Sequence, residues 1–248
     1  MFRCLELCLY LCSVVVLFHC YWCTRKPWSS SIILYNNNIT QHHNHNINNN
    51  PSFTPKSLNQ HRYSQSEMVT VFKYLFESLN FFDDFQVPQQ VFVNFFDAVA
   101  SKYHANTYHN FHHGCDVAYT VYRLVIDSRV HLCFSQLEMF SLLTAAIAHD
   151  IGHPGVNNVY LVKAKHSFAL QYNDRSPLEN MHCAVVYDLL TEPSTNIFLS
   201  LSEEHWREAR KIILTSILGT DMTHHFEQIN KIQLFLEVNE TDIHSFCR

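Results

Sequence analysis

From about Ser64 onward, apolar residues recur at helical spacing. Met68, Val69, Phe72, Leu75, Phe76 and Leu79 fall on one face of a first predicted helix. Val87-Pro88 predicts the start of a second, with proline near its first turn, carrying Val91, Phe92, Phe95, Phe96 and Val99. A third is predicted over Asp116–Ile126. The run from Leu137 to His149 is apolar nearly all round, which predicts a buried, central helix. Leu178 to Leu190 predicts a fifth, and Ser202 opens a sixth that runs through Trp206 towards Leu218. No strand-like alternation stands out, and only 4 glycines occur. The expected fold is therefore all-α, a compact multi-helix unit from residue 64 to residue 248.

Two segments precede it. In residues 1–26, the apolar run Leu7 to Phe18 lies between Arg3 and Arg25-Lys26. It is short for a membrane span and close to a signal-peptide core in length, so it reads as a candidate membrane anchor or signal segment. Residues 27–63 read as a linker. Asn36 to Asn50 is rich in Asn and His and holds too little apolar area to fold.

Composition narrows the function classes. A formal charge of -5 gives no broad basic surface, so no nucleic-acid partner is expected. Of the 9 cysteines, five lie in the first 23 residues. Cys115, Cys133, Cys183 and Cys247 are scattered, which excludes a zinc finger or disulfide framework and suits reduced, packed thiols of a cytosolic domain. The 18 histidines are the anomaly, and most of them must be ordinary surface or core residues.

Four segments concentrate chemistry. Tyr108-His109-Asn110-Phe111-His112-His113 places His109 and His113 four apart; on a helix they would share a face, one free to ligate metal and the other to move protons. His149-Asp150-Ile151-Gly152-His153 ends the apolar helix on a carboxylate that is costly to bury unpaired. A cation removes that cost, and two carboxylate oxygens can bridge two ions, which points to metal-assisted hydrolysis. Ser176-Pro177-Leu178-Glu179 with His182 puts a carboxylate and an imidazole three apart on one helix. Thr220-Asp221-Met222 with His225-Phe226 is the fourth. His112, His131, His166, His205 and His224 are expected outside the site.

Together and in this order, the four segments resemble the catalytic domain of class I cyclic nucleotide phosphodiesterases, a branch of the His-Asp metallohydrolases. The likeness runs from about residue 64 to about residue 236. It implies that His113, His149 and Asp150 bind a Zn²⁺-like ion and that Asp150 bridges to a second ion, Mg²⁺ or Mn²⁺. It implies that His153, Glu179, Thr220 and His182 hold the waters around that pair. His109 would protonate the leaving oxygen, with Glu179 orienting it, and Tyr108 and Met222 would line the nucleotide pocket. The substrate implied is cAMP, cGMP or both, met in the cytosol. Met181 stands where the family has a second His. The family's later metal-binding Asp, base-reading Gln and ring-clamping Phe are expected beyond Arg248, which makes the chain part of such a domain, with weak or no turnover expected of this part by itself. The alternatives are a catalytically inactive phosphodiesterase-like binding protein and another His-Asp phosphohydrolase. Oligomeric state is not readable from the residues.

Overall fold

The structure, a computed structural model, describes residues 63–127 and 134–238. The expectations for residues 1–26, the Asn-rich tract, His131, Cys133 and Cys247 lie outside these residues. Among the described residues every regular element is helical, and no helix is long and apolar enough to cross a membrane.

The order is α1 (Gln65–Ser78), α2 (Phe81–Asp84), α3 (Gln89–Lys102), α4 (Phe111–Asp127), α5 (Gln136–Ala148), α6 (Asn158–Lys163), α7 (Ser167–Gln171), α8 (Pro177–Thr191) and α9 (Glu203–Leu218). A 3₁₀ turn (Met222–His224) then leads into α10 (His225–Val238). Sequence spacing located the six long elements from α1 to α9. It missed the short α2, α6 and α7, which are too brief to show a period, and it missed α10. It also placed the start of α4 at Asp116, whereas the helix begins at Phe111. The five extra residues include Phe111, His113, Gly114 and Cys115, which are buried, and polar residues among them hid the helical pattern.

Capping explains the boundaries. Ser64 and Ser135 each form a reciprocal capping box, with Glu67 and Glu138 three residues on. The serine oxygen accepts an orphan backbone N–H, and the glutamate accepts the serine's own N–H at 2.7 Å in both cases. Ser202 accepts from the N–H of His205 to start α9. Pro177 opens α8, where its missing N–H costs nothing.

Helix α5 is the centre, as its pattern predicted. Leu137 and every residue from Met139 to Ala148 are buried, with α4 on one side and α9 on another. Phe140 is its aromatic hub. Its ring lies 5.7 Å from that of Phe76, 5.1 Å from Phe81, 4.7 Å from Phe85 and 4.7 Å from Phe198. One side chain thus joins α1, α2 and the α8–α9 connection to the central helix.

A smaller core sits apart. Leu161, Ala169, Leu178 and Met181 pack together beneath Val156, Phe168 and Tyr172. It ties the stretch of turns and short helices from residue 151 to residue 176 to the first turns of α8. Met181, which replaces a family His, belongs to this cluster, and its sulfur would lie 3.3 Å from a Cβ at Gly152. Gly152 has φ +76°, so that close approach and the turn both favour glycine.

Removing the Phe140 ring should leave a cavity that the surrounding elements cannot close together. Phe140→Ala is expected to cost about 3–5 kcal/mol, measured as a lower urea midpoint at unchanged slope. A loss under about 1 kcal/mol would mean the hub is not where stability is concentrated.

Candidate metal centre

Two helix ends build the site. His113 lies in the first turn of α4, and His149-Asp150 follows the last turn of α5. The two helices approach closely because residue 114 is glycine. A Cβ there would fall 2.6 Å from the Ile147 carbonyl oxygen and 2.7 Å from the Tyr103 hydroxyl. No larger residue fits without spreading the pair, and His113 would move with it. Tyr103, at the end of α3, donates its hydroxyl to Ile147 O at 2.8 Å and accepts the N–H of Asp150 at 3.4 Å. The backbone entering the His-Asp pair is thereby held from a third element.

His113, His149 and Asp150 are all buried, and one ligand atom from each lies within 4.8 Å of the others. Asp150 Oδ2 is 3.2 Å from His149 Nε2 and 3.4 Å from His113 Nε2. For bonds near 2.0–2.1 Å, ligand atoms on a tetrahedral ion stand about 3.3 Å apart. Both separations match that edge. The His149 tautomer fits as well. Its Nδ1 lies 2.8 Å from Ala146 O, an acceptor only, so Nδ1 carries a proton and Nε2 faces Asp150, available to bind an ion or, with no ion bound, a second proton. The donor set, two imidazoles and a carboxylate, is that of a zinc-class site with room for water in the remaining positions.

The other imidazoles surround this triad. His182 gives Nδ1–H to Ile151 O at 2.6 Å and turns Nε2 towards Asp150 Oδ1 at 3.8 Å, a gap that suits a bridging water. His153 accepts the Gly155 N–H at Nδ1, which leaves its proton on Nε2. Its ring stacks on His109 with centroids 4.0 Å apart and planes 12° apart. His109 is not on the helix. It lies on the bend before α4, so the shared helical face expected for His109 and His113 is replaced by a turn that folds the first ring over the second at 5.9 Å. Tyr108 packs its ring 4.5 Å from His113 and edge-on to His109 at 4.9 Å.

Burial sets the charge states. It opposes ionisation of Asp150, but positive charge at His149 and hydrogen bonds donated by His113 and His149 outweigh it and hold the carboxyl well below the usual range. Burial drives His153 down to about 3 and His182 to about 4, with Asp150 opposing in both cases. Both rings are thus neutral near pH 7 and able to accept or donate as hydrogen-bonding groups. His109 is lowered by burial too, partly offset by Asp150. Glu179 moves the other way: burial raises it to about 7, against the hydrogen bond from Asn158, and Asp221 and Asp150 add to the rise.

Glu179 was expected to orient His109. Its Oε2 accepts from Asn158 Nδ2 at 2.9 Å, while Asn158 Oδ1 accepts the Leu178 N–H at 3.0 Å. Asn158 thus caps α8 and fixes Glu179 at once. Behind it, Ser176 donates to Asp221 at 2.7 Å, which joins the start of α8 to the 3₁₀ turn. Thr220 turns its hydroxyl back onto Ile217 O at 2.7 Å, and Met222 is 47% exposed on the 3₁₀ turn. The structure therefore gathers Tyr108, His109, His113, His149, Asp150, His153 and His182 into one network. Glu179 flanks it, and Thr220 and Met222 lie at the α9–α10 junction. His224 and His205 are exposed, and His112 anchors Tyr63 O at 3.1 Å, away from the triad. Sequence reasoning missed Tyr103 and Asn106, since a lone Tyr at a helix end and an Asn in a connection carry no spacing signal.

Residues 108–246 match the 3'5'-cyclic nucleotide phosphodiesterase family. A high affinity cGMP-specific 3',5'-cyclic phosphodiesterase 9A of Homo sapiens is 35% identical over 175 residues, 71% of this chain and 30% of the relative. The 3',5'-cyclic-nucleotide phosphodiesterase regA of Dictyostelium discoideum is 35% identical over 173 residues, 69% of this chain and 22% of the relative. Among solved structures, the phosphodiesterase domain of the RhoPDE fusion protein from Salpingoeca rosetta superposes with a TM-score of 0.69 at 28% identity. That match covers 74% of this chain and 56% of the solved one. The chain spans less than a third of the length of these curated relatives.

Two outcomes test the centre. Wild type is expected to bind zinc with a rise in thermal midpoint, and His113→Ala and Asp150→Ala are expected to lose both the bound metal, by elemental analysis, and the rise. Glu179 tests the electrostatics. Its folded state holds the proton more tightly than the unfolded chain, so its stabilisation is full below 4.5 and lost as pH climbs through about 7. With chelator present, Glu179→Gln should therefore gain on wild type in melting temperature between pH 5 and pH 8. A constant gap would show that Glu179 titrates like an ordinary carboxyl.

Proposed function

The chain belongs to the 3',5'-cyclic nucleotide phosphodiesterase family, and from that membership together with the buried triad we propose that it carries the metal-holding part of a site for hydrolysing 3',5'-cyclic nucleotides to nucleoside 5'-monophosphates. The observation that supports this most directly is the pair of tetrahedral-edge separations, 3.2 and 3.4 Å, around Asp150 Oδ2. A relative named for cGMP alone and one named for dual specificity match at similar identity, 35% and 33%. The reading therefore extends to the cyclic phosphate, cAMP or cGMP, and leaves the base open. Such substrates are cytosolic signals, so the helical part belongs on the cytosolic side whatever residues 1–26 do.

His113, His149 and Asp150 would hold a Zn²⁺ ion, and Asp150 Oδ1, turned towards His182, would reach a second ion, Mg²⁺ or Mn²⁺. When bound, the pair would supply Lewis-acid stabilisation of the phosphoryl oxygens and a water nucleophile at neutral pH. The protein's own groups then divide the remaining work. His153 and His182, neutral at pH 7, orient water through ring nitrogens. Glu179, poised near 7, accepts or releases a proton with little free-energy change. His109 stands outside the ligand set and protonates the O3′ leaving group. Burial lowers its basicity, which makes it a stronger acid once charged. The phosphate anion beside it would restore its protonated fraction. Tyr108, packed on both His109 and His113, and Met222, exposed on the 3₁₀ turn, would line the nucleotide pocket.

Turnover of cAMP, cGMP and a noncyclic phosphodiester by the zinc- and magnesium-loaded chain tests the reading. Weak release of 5'-monophosphate from a cyclic nucleotide, well below the turnover of a full catalytic domain, is expected. His109→Ala is expected to cut kcat by about 100- to 10,000-fold with zinc content unchanged. Loss of zinc in that variant would reverse the assignment of ligand and acid. Cyclic nucleotide bound without any product would favour a binding protein, and preference for the noncyclic ester would favour another phosphohydrolase.

A further inference from the structure

The aim of His109 is set indirectly. Neither nitrogen of its ring makes a hydrogen bond among the described residues, so the ring depends on its backbone and on the stacked His153. Those two residues come from separate connections, α3–α4 and α5–α6, 44 positions apart in the chain. One side chain joins them. Asn106 Nδ2 donates to His109 O at 3.0 Å and to His153 O at 2.7 Å. Both acceptors are carbonyl oxygens, which cannot donate, so the amide nitrogen must face them and both of its protons are used.

A second amide registers this connection to the metal ligands. Asn110 Nδ2 donates to Asn106 O at 3.0 Å, and Asn110 Oδ1 accepts the N–H of His113 at 3.0 Å. The first turn of α4, the bend bearing His109 and the loop bearing His153 are thereby linked through two carboxamides. The space around the first is tight. A Cβ at Gly155, where φ is +82°, would lie 3.3 Å from Asn106 Oδ1. A longer glutamine has no room to keep both bonds. An aspartate would set an oxygen against two carbonyl oxygens and donate nothing.

We propose that Asn106 is a positioning residue: by clamping the carbonyls of His109 and His153 it keeps the two imidazoles stacked and aims His109 at the leaving oxygen. This rests on the reading of His109 as the proton donor. The clamp touches neither substrate nor metal, so its loss acts on the chemical step only through the two rings it holds, His109 and His153. A misplacement of about 1 Å in such a group can cost about 100-fold in rate.

The test uses the full chain, zinc-loaded and isotopically labelled. In wild type, the two Asn106 Nδ2 protons should exchange at least about tenfold more slowly than those of the exposed Asn230. Asn106→Ala and Asn106→Asp should shift the His109 and His153 ring resonances and lower kcat by about 10- to 100-fold. KM should stay within about threefold, and zinc content should not change. Exchange at the free-amide rate in wild type overturns the clamp, and so do unmoved ring resonances in a folded variant. An unchanged kcat, or a loss confined to KM, overturns it as well. If both variants fail to fold, the wild-type exchange rate decides alone. A wild-type chain that turns over no cyclic nucleotide sinks the hydrolase reading, and the clamp is then judged on exchange and ring resonances only.

Discussion

A carboxylate sits at the end of the most apolar helix among the described residues, and the surrounding arrangement follows from that. Burying an unpaired Asp150 would cost several kcal/mol. The fold meets this with His113, His149 and His182 rather than with Arg or Lys. An imidazole is a poor partner for a carboxylate unless a proton or a cation lies between them. His149 and His182 both spend Nδ1–H on a backbone carbonyl, so each presents Nε2 to Asp150, available to an ion or a second proton. Two acceptors facing each other at 3.2 Å call for positive charge in the gap. A permanent cationic side chain would fill that need and close the site, whereas imidazoles leave it open to an exchangeable ion.

Delivering those groups requires that two helices nearly touch. Gly114 permits the contact, and Tyr103 binds the far side of the same junction through Ile147 O and the Asp150 N–H. The aromatic cluster about Phe140 sits towards the other end of α5 and is separate from this junction. Stability and site geometry are thus carried by different parts of one helix. The satellite core of Leu161, Ala169, Leu178 and Met181 does a third job, seating the loop that bears His153 and the helix that bears Glu179.

Much of this was legible in the residues. The uninterrupted apolar run of α5 announced a central helix because no face of it could meet water. The candidate ligand cluster was legible because a carboxylate closing such a run is costly to bury unless a cation shares it, and His149 stands beside it to hold one. The geometry between segments was not. His109 reads as a helix partner of His113 at a spacing of four, yet the chain turns before α4 starts, and Asn110 fixes that turn by capping His113. Glu179 reads as a partner for His109, but Asn158, twenty-one positions earlier, reaches it first. Both departures come from asparagine side chains bonding across connections. Such bonds leave no periodic trace and depend on which loops the fold brings together.

On the proposed roles, the same asparagines explain why ligation and proton transfer can be separated in this site. His113 lies within a helix, and His149 and Asp150 directly follow one, so their positions follow from core packing. His109 and His153 lie on connections, where a backbone path of several residues could take many courses. Packing alone does not specify such a path to the few tenths of an ångström that a proton donor needs. Side-chain amides do, because each offers donors and an acceptor in a fixed plane and can bind two carbonyls at once. A rigid helical frame for charge, with hydrogen-bonded loops for the mobile proton, lets the loop geometry be tuned without disturbing the carboxylate beneath it.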